Sequence, residues 1–416
     1  MSGRDRIDVL IVGAGPAGVA AGIGARRAGA ERVVVAERDW DLGGILQQCI
    51  HPGFGLRTFK EELTGPEYMH RFVQQAREAG VEFLSNTMVF RMDPDGGLWT
   101  MNRERGIERL TAGAVVLAMG CRERPLGAIR VPGTRPAGIY TAGTAQRFVN
   151  MEGGMPGRRA VILGSGDIGL IMARRMVWEG ASVEGVYEVM SWAGGLRRNI
   201  AQCLDDYDIP FHLETTVTRV HGRDRLEGVT VAKVDERRAP IPDTERFVPC
   251  DTLLLAVGLI PENELSRMAG LAIHPVTGGP VVNDLLQTSR PSVFAAGNVS
   301  IVYDLVDNVS DEGLRAGENA ARYARGELSA TRAIPVRGGE NVRLFLPQCV
   351  TGETDVTIYM RVTHPIEGAC RVTAEPGLFS RRLRYARPGE MCEAHIEAQR
   401  VRAANPEEIV VDVQPV

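Results

Sequence analysis

The chain contains the same glycine fingerprint twice, and each copy is followed by a glutamate at the same distance. Residues 13–18 (GAGPAG) precede Glu37, and residues 164–169 (GSGDIG) precede Glu188. A single Gly-x-Gly-x-x-Gly is weak evidence, because glycine-rich turns are common where a strand meets a helix. Two copies in register with an acid predict two dinucleotide-binding sites in one chain.

Each fingerprint lies in the context that a dinucleotide site requires. Aliphatic runs at residues 7–12 and 160–163 predict buried parallel strands that end at the first glycine. Residues 19–27 and 170–178 predict a helix directly after the last glycine. We therefore interpret each copy as the start of a Rossmann-like domain, and the alternative is a strand–helix turn that binds no ligand.

The spacing of the glycines has a physical reason. The first permits a tight turn, the second lets the backbone approach a pyrophosphate, and the third lets the helix pack closely on the strand. N–H groups at the start of the helix then bind the anion. The first glycine is Gly13 in one copy and Gly164 in the other, the second is Gly15 or Gly166, and the third is Gly18 or Gly169. The acid can accept a ribose hydroxyl and would repel a 2′-phosphate, so Glu188 favours NAD over NADP.

Composition argues against several classes of function. With 416 residues, 44% of them hydrophobic, the chain can form two to four domains with cores. The net charge of −4 and the lack of a basic cluster argue against a nucleic-acid partner. The seven cysteines include no C-x-x-C pair, so neither a metal centre nor a disulfide framework is predicted. No run is long enough to span a bilayer, and we expect a cytoplasmic protein.

The two halves of the chain repeat the same order of elements. Each half closes with an apolar strand that ends in glycine, at residues 114–120 and 252–258. A third segment at residues 293–299 is predicted as a strand that ends in a polar residue, followed by a loop and a helix over about 312–324, and it would return to the first domain. From about residue 330 onward, alternating stretches such as residues 342–346 and 355–362 predict antiparallel strands.

The predicted fold class is therefore α/β, with two Rossmann-like dinucleotide-binding domains and a small C-terminal β domain similar to a sandwich. The second Rossmann-like domain is inserted in the first. The predicted boundaries are residues 1–145 with 260–330 for the first domain, 146–259 for the second and 331–416 for the β domain.

A loop rich in glycine and amide side chains, residues 43–55, holds the two candidate catalytic residues. Cys49 could be a reactive thiolate or form a sulfenic acid with peroxide, and the alternative is a small buried residue. His51 could donate a proton to a reduced cofactor or to a substrate, and the alternative is a histidine that caps loop carbonyl groups.

The order of fingerprint, Gly120, second fingerprint, Gly258 and the Ala296-Gly297-Asn298 turn resembles the two-dinucleotide flavoproteins of the pyridine nucleotide-disulfide oxidoreductase family, over residues 5–325. The resemblance implies FAD in the first domain and NAD(H) in the inserted one. It implies an FAD site formed by Gly13, Gly15, Pro16, Ala17, Gly18, Glu37, Arg38, Gly43, Gly44, Val89, Ala118, Gly120, Gly297, Asn298, Glu312 and Gly313. It implies an NAD(H) site formed by Gly164, Gly166, Asp167, Ile168, Gly169, Glu188 and Gly258.

Two positions carry a specific expectation from this resemblance. Asn298 stands where the family commonly has an aspartate that hydrogen-bonds the ribityl chain, and an amide can make the same bond. The helix near Glu312 and Gly313 is expected to direct its positive end at the N1–C2 region of the flavin, where it would stabilise the anionic reduced form.

Residues 43–55 and 59–68 resemble a narrower branch, oxidoreductases found beside glycerol-3-phosphate dehydrogenase-like flavoproteins and related to subunits of opine and amino-acid dehydrogenases. This likeness implies an oligomer and a companion flavoprotein as partner. Two departures matter. The loop holds a single cysteine, which excludes a dithiol–disulfide cycle within it, and Ile171 stands where many members have a glutamate near the nicotinamide.

The predicted function is hydride exchange between NAD(H) and FAD, with electrons passed to or from a partner flavoprotein that acts on glycerol 3-phosphate or a similar small substrate. One alternative is a free-standing NADH oxidase or peroxidase that uses Cys49. Another is a non-catalytic nucleotide-binding subunit of a heteromeric dehydrogenase, which Ile171 and the added β domain both motivate.

Overall fold

The computed structural model describes residues 6–328 and 333–416. The chain forms two compact units, Met1–Cys121 with Pro261–Val416 and Arg122–Ile260. The predicted boundary between residues 330 and 331 lies outside the described residues. Among the helices that the structure describes, none is long and apolar enough to cross a membrane.

The helices of the described residues are numbered in chain order. They are α1 (Pro16–Arg27), α2 (Gly65–Glu78), α3 (Leu126–Ile129), α4 (Ala142–Asn150), α5 (Asp167–Trp178), α6 (Arg197–Cys203), α7 (Glu264–Met268), α8 (Val306–Ala324) and α9 (Ala398–Ala404). Short 3₁₀ helices occur as well, and one of them, Gly44–Gln48, lies in the loop that holds the candidate catalytic residues.

The strands are numbered in the same way. The strands of the Rossmann-like regions are β1 (Ile7–Val12), β2 (Val33–Ala36), β3 (Pro52–Phe54), β4 (Leu63–Thr64), β5 (Glu82–Leu84), β6 (Thr87–Met92), β7 (Leu98–Asn102), β8 (Gly106–Leu110), β9 (Ala112–Leu117), β10 (Cys121–Glu123), β11 (Ile139–Thr141), β12 (Arg159–Leu163), β13 (Ser182–Tyr187), β14 (Phe211–His212), β15 (Thr215–Gly222), β16 (Leu226–Lys233), β17 (Arg246–Pro249), β18 (Thr252–Leu255), β19 (Leu259–Pro261) and β20 (Val293–Ala295). The C-terminal strands are β21 (Ile334–Gly338), β22 (Val342–Leu346), β23 (Cys349–Val350), β24 (Val356–Val362), β25 (Cys370–Glu375), β26 (Phe379–Leu383), β27 (Cys392–Ile396) and β28 (Ile409–Pro415).

The first unit is built around a five-stranded parallel sheet in the order β20-β9-β1-β2-β5. β1 is central, and its Ile11 lies opposite Val35 on β2 and Val116 on β9. All three of these side chains are fully buried, as expected for a parallel sheet that is covered on both faces. The register places the carboxyl ends of β1, β9 and β20 at one edge, where the first fingerprint begins.

Helices α1 and α8 pack so closely that only glycine fits at their crossing. A β-carbon built on Gly313 would lie 2.2 Å from the carbonyl oxygen of Ala17, and one on Gly317 would lie 1.9 Å from that of Ala21. The fingerprint helix is thereby fixed against the C-terminal helix of the Rossmann-like region.

The prediction that this last helix begins near residue 312 is wrong, because α8 begins at Val306. The side chains of Asp307 and Asn308 are buried in its first turn, and Asp307 places an acid at the positive end of the helix. Residues 306–311 contain only two apolar residues, Val306 and Val309, which are too few to predict the start of a helix. Their polar side chains are satisfied by residues far away in the chain, which the sequence pattern does not reveal.

The second unit contains a parallel sheet in the order β11-β18-β12-β13-β14 and an antiparallel sheet in the order β15-β16-β17. This unit begins at Arg122 rather than at the predicted residue 146. The unit begins earlier than predicted because β11 belongs to its parallel sheet, where Ile139 pairs with Leu253 of β18. Residues 122–145 therefore belong to the inserted unit.

The C-terminal residues form two sheets with a common core. A five-stranded sheet has the order β23-β21-β28-β25-β26, and a three-stranded sheet has the order β22-β24-β27. Val336 and Val411 from the first sheet belong to the same buried cluster as Phe345, Ile358 and Ala394 from the second. The predicted α/β class with a small C-terminal β domain is confirmed, although β21 and β28 pair in parallel.

Candidate nucleotide-binding sites

The first fingerprint turn can be made only with glycine at two of its positions. Gly13 has a φ of 99°, and a β-carbon there would lie 2.6 Å from the carbonyl oxygen of Ala118. A β-carbon on Gly18 would lie 1.8 Å from the carbonyl oxygen of Gly13. By contrast, apart from the glycine itself and its chain neighbours, no atom of the described residues lies within 4 Å of a β-carbon built on Gly15 or on Gly120. The turn is therefore packed behind and open in front of Gly15, where a pyrophosphate can approach.

Glu37, the residue after β2, fastens the turn from the other side. It is 6% exposed. Its Oε2 accepts a hydrogen bond from the Ala14 backbone N–H at 2.6 Å, and Oε1 accepts one from the Asp39 N–H at 2.9 Å. Each carboxylate oxygen has a further lone pair for a ribose hydroxyl. Arg38 is exposed beside it, whereas Val89 is buried in β6.

The loop after this acid lies against the turn. Gly43 donates its backbone N–H to the carbonyl oxygen of Ala14 at 2.8 Å. A β-carbon on Gly44 would lie 3.1 Å from the Cα of Gly15. Gly43 and Gly44 thus border the open face, where the sequence predicts cofactor contacts. Pro16 occupies the first turn of α1, where its missing N–H is not needed.

Cys49 is a poor candidate for a thiolate. Its side chain is 4% exposed, and its Sγ donates to the Ile45 carbonyl oxygen at 3.4 Å. Its own carbonyl oxygen accepts from the N–H of Gly65, the first residue of α2. Burial raises the pKa of the thiol to about 12, so the group is neutral near pH 7. The geometry favours the alternative of a small buried residue.

His51 is half buried at the end of the same loop. Its Nδ1 lies 3.1 Å from the carbonyl oxygen of Pro52, which accepts the Nδ1–H. Its ring centroid lies 5.1 Å from that of Phe54. This arrangement is that of a histidine capping a loop carbonyl group. With Nδ1 as donor, Nε2 carries the lone pair in the neutral ring.

The Ala296–Asn298 turn closes the same edge of the sheet. Gly297 has a φ of 77°, and a β-carbon there would lie 2.9 Å from the Cβ of Ala17 on the fingerprint helix. Asn298 accepts from the Tyr303 backbone N–H at 3.0 Å through Oδ1, and its Nδ2 lies 3.6 Å from the sulfur of Cys121. Asn298 is therefore held by protein partners on both sides of its amide.

Glu312 and Gly313 stabilise the fold near this turn instead of forming a helix end. Glu312 is 3% exposed. Its Oε2 accepts from the Gly297 backbone N–H at 2.5 Å, and Oε1 accepts from the Tyr303 hydroxyl at 2.8 Å. Burial raises the pKa of this carboxyl group to about 7. Gly313 faces the backbone of Ala17 at the helix crossing. The positive end of α8 lies at residues 306–308.

Sequence reasoning missed the residues that surround this positive end. Asp307 accepts from both the backbone N–H and the hydroxyl of Thr58, at 3.0 and 2.5 Å. Asn308 accepts from Arg57 at 2.5 Å through Oδ1. Cys121, directly after Gly120, was missed as well. The available signal was position, because Cys121 follows the carboxyl end of β9 and the first turn of α8 comes after that of β20.

The second fingerprint turn repeats the construction of the first. Gly164 has a φ of 94°, and a β-carbon there would lie 2.3 Å from the carbonyl oxygen of Ala256. A β-carbon on Gly169 would lie 2.6 Å from the Cβ of Ala256. The nearest atom to one on Gly166 is 3.4 Å away, so this turn is also open at its middle glycine. Gly258 has a φ of 99° at the end of the adjacent strand.

Glu188 stabilises the second fingerprint turn through hydrogen bonds, as Glu37 stabilises the first. It is 8% exposed. Its Oε2 accepts from the backbone N–H and the hydroxyl of Ser165, at 2.9 and 2.6 Å, and Oε1 accepts from the Met190 N–H at 3.0 Å. Asp167, the first residue of α5, accepts through Oδ1 from the Leu196 N–H at 2.8 Å. Ile168 is half buried against the core of this unit.

Two Rossmann-type units, each with an open glycine turn fastened by an acid, define a protein with two dinucleotide sites. A family model described as pyridine nucleotide-disulphide oxidoreductase matches residues 7–322. The chain therefore belongs to this family. It is an FAD-dependent enzyme that uses NAD(P)H, and the fit of an adenine dinucleotide to the open turns agrees with those cofactors.

Curated relatives are similar over most of this chain. One of the opine oxidase subunits of Agrobacterium tumefaciens (strain Ach5) is 26% identical over 77% of this chain and 65% of its own length. The glutamate synthase [NADPH] small chain of Escherichia coli (strain K12) is 29% identical over 76% of this chain and 68% of its own. The chain thus spans about two thirds of the length of these relatives.

A solved structure shows the same fold. The crystal structure of T. acidophilum thioredoxin reductase superposes with a TM-score of 0.63 at 23% identity. The superposition covers 77% of this chain and 99% of the thioredoxin reductase chain. This likeness shows the fold of the chain.

Proposed function

We propose that the chain exchanges hydride between NAD(H) and FAD and passes electrons to or from a partner flavoprotein that acts on glycerol 3-phosphate or a similar small substrate. The observation that carries the proposal is the duplicated site, a glycine turn open at Gly15 or Gly166 and fastened by Glu37 or Glu188. FAD supplies chemistry that joins two-electron donors such as NADH to other electron carriers.

The residues of the first unit support an FAD site there. Gly13 and Gly18 permit the turn, Gly15 leaves room for the pyrophosphate, and the start of α1 offers N–H groups to it. Glu37 is placed to accept a ribose hydroxyl. In the second unit Glu188 has the equivalent position, and its charge favours NAD(H) over NADP(H). The protein's contribution is to bind and orient the two cofactors.

A partner is supported by the names of the relatives and by the chemistry of the loop. Two relatives, from opine oxidase and from hydrogen cyanide synthase, are named as subunits of those enzymes. The loop that follows the first acid has only Cys49, whose pKa is raised to about 12 by burial. Because the loop lacks a dithiol, electrons cannot leave the reduced flavin through a disulfide in this loop. A partner protein would accept them instead.

An anaerobic titration of the purified protein with NADH tests the hydride exchange. We expect the long-wavelength absorbance of the flavin to bleach with NADH. The matched variant is Gly166→Ala, in which the added methyl group has room in the fold but projects where the pyrophosphate would lie. It should keep its FAD and require at least about tenfold more NADH, the loss expected for one or more good anion contacts. Bound FAD that NADH does not bleach in the parent would overturn the proposal and favour a non-catalytic subunit.

The monothiol alternative is tested separately. A buried neutral thiol is a weak nucleophile, so we expect Cys49→Ser to leave NADH turnover with oxygen or peroxide unchanged. Cys203→Ser is a matched control, because Cys203 is also buried but lies in the other unit. A loss of turnover in the first variant alone would restore the hypothesis of an oxidase or peroxidase.

A further inference from the structure

The duplication of the two sites extends beyond the fingerprint and the acid. A Gly-Gly pair stands six and seven positions after the acid in both units, as Gly43-Gly44 and Gly194-Gly195. In the first unit this pair lies on the fingerprint turn, as described above. In the second unit a β-carbon on Gly195 would lie 2.9 Å from the carbonyl oxygen of Ser165. Each turn is therefore bordered by a glycine-rich segment of its own unit.

The second of these segments, residues 194–199, is fastened by side chains of the fingerprint itself. Gly194 donates its N–H to the hydroxyl of Ser165 at 2.8 Å. Asp167 Oδ1 accepts both the Leu196 N–H at 2.8 Å and the Asn199 side-chain N–H at 2.6 Å. The same carboxylate oxygen thus ties the two ends of Leu196–Asn199 to the start of α5.

The first fingerprint lacks the side chains that make these bonds. Ala14 and Pro16 stand at the positions of Ser165 and Asp167, and neither has a side chain that can accept a hydrogen bond. There the N–H of Gly43 donates to the backbone oxygen of Ala14 instead. The two polar side chains are therefore a property of the second site and are not required by the turn.

Two opposing effects of Asp167 on a bound dinucleotide follow from this geometry. Its carboxylate stabilises the 194–199 segment through charge-assisted hydrogen bonds, so the wall of the site is ordered before a ligand arrives. Its negative charge at the start of α5 also opposes the charge of a pyrophosphate bound there. Two donors already hydrogen-bond this carboxylate, and it lies beside a turn that stays open at Gly166. We therefore expect the ordering of the 194–199 segment to outweigh the repulsion of the pyrophosphate.

We propose that Asp167 is a positioning residue that holds the 194–199 segment against the second fingerprint turn before nucleotide binds, and that it thereby raises the affinity of this site for NAD(H). The inference rests on the proposed function, because it assumes that the second site takes NAD(H). It goes beyond that function by attributing part of the affinity for NAD(H) to the hydrogen bonds between Asp167 and the 194–199 segment.

Three variants separate the effects, with NAD⁺ affinity measured by calorimetry on the FAD-containing protein. Asp167→Ala removes both hydrogen bonds and should weaken NAD⁺ binding by about tenfold, the loss expected for a hydrogen bond to a charged group. Asp167→Asn keeps an acceptor oxygen without the charge and should stay within about threefold of the parent. Asp224→Ala is the control, because Asp224 is an exposed acid of the same unit.

A second measurement, tryptic cleavage without any nucleotide, tests whether the 194–199 segment is held in place. Arg197 and Arg198 are exposed and lie inside the segment, so trypsin can report on its release. We expect Asp167→Ala to be cut after these residues at least about tenfold faster than the parent, in line with the loss of the fastening. Asp167→Asn and Asp224→Ala should be cut at the parental rate. If Asp167→Ala does not fold, Ser165→Ala, which introduces the alanine of the first copy, tests the same segment through Gly194.

Three results would overturn the proposal. Unchanged or tighter NAD⁺ binding in Asp167→Ala would show that the carboxylate does not help the site. Tighter binding in both Asp167→Ala and Asp167→Asn would show that it acts by repelling the pyrophosphate. Unchanged tryptic cleavage in Asp167→Ala would show that it does not hold the segment. If the parent binds no NAD⁺, the proposed function fails, whereas the cleavage rates still decide whether Asp167 holds the segment.

Discussion

The buried carboxyl group of Glu312 makes the stability of the first unit depend on pH. Its two oxygens accept hydrogen bonds from the Gly297 backbone and from the Tyr303 hydroxyl, inside a region where the side chain is 3% exposed. Burial raises its pKa from the ordinary value of 4.5 to about 7, against the lowering effects of these two bonds and of the nearby Arg315 charge. The folded protein therefore keeps a proton that the unfolded chain releases.

The sign and size of the effect follow from linkage. Between the unfolded pKa of 4.5 and the folded pKa of about 7, the folded state binds more protons than the unfolded state, so the free energy of unfolding falls as the pH rises. Below this window the contribution is fully present, and above it the loss levels off. Since one pKa unit corresponds to about 1.4 kcal/mol, the protein loses about 3 kcal/mol across the window from this group.

Glu312→Gln should remove this pH dependence. A glutamine stays neutral, can accept from Gly297 through its oxygen and can donate to the Tyr303 oxygen. Near pH 4.5 we expect the variant to match the parent, and at about pH 8 we expect it to be more stable by about 3 kcal/mol. Urea unfolding at about pH 5, 6.5 and 8 measures the difference. Glu318→Gln is the control, because Glu318 is exposed on the same helix.

One result would refute the reasoning for Glu312. If Glu312→Gln loses stability between about pH 5 and pH 8 as steeply as the parent and the Glu318→Gln control, the buried carboxyl group is not the source of the slope. A variant that is less stable than the parent at the upper end of this range would point the same way. It would mean that the charged form is favoured by its hydrogen bonds more than it is disfavoured by burial.

Three further substitutions test the packing and the sites. Gly313→Ala places a methyl group 2.2 Å from the Ala17 carbonyl oxygen and should lower the free energy of unfolding by about 1–3 kcal/mol in urea. Gly15→Ala has room for its methyl group and should unfold like the parent, but its FAD content, read from the absorbance spectrum, should fall. Glu188→Ala should narrow the preference for NADH over NADPH by about tenfold in titrations of both nucleotides. A parent that prefers NADPH would contradict the last prediction.

The sequence was sufficient to predict the elements whose cause is local. Strand β1 has the predicted bounds, because an aliphatic run that ends at a glycine turn indicates a buried parallel strand. Both fingerprint turns lie where they were predicted, since strand, turn and helix are adjacent in the chain. However, α1 and α5 begin at Pro16 and Asp167, inside the fingerprint and three residues before the predicted starts. The repeated order of elements likewise indicated the duplication of whole domains.

The features that the sequence did not reveal depend on contacts between distant residues. The first turn of α8 is held by Asp307, whose partner Thr58 is 249 positions away. The environment of Cys49 depends on its contact with the start of α2, which turns a candidate nucleophile into a buried neutral thiol. Glu312 was expected at a helix end and lies in the interior of α8 instead. In each case the residue is of a type that occurs in functional sites, but its contacts with residues distant in the chain determine its role.

The two acids illustrate why a fingerprint alone does not establish a ligand. In each unit the acid accepts the backbone N–H of the residue after the first glycine and the N–H of the residue two positions beyond the acid itself. An acid at this spacing therefore stabilises the turn whether or not a ribose binds. The open space in front of Gly15 and Gly166, by contrast, is what a bound pyrophosphate would need. Glu188→Ala should accordingly lower stability as well as selectivity, and only the ratio of NADH to NADPH affinity isolates its contact with the ribose.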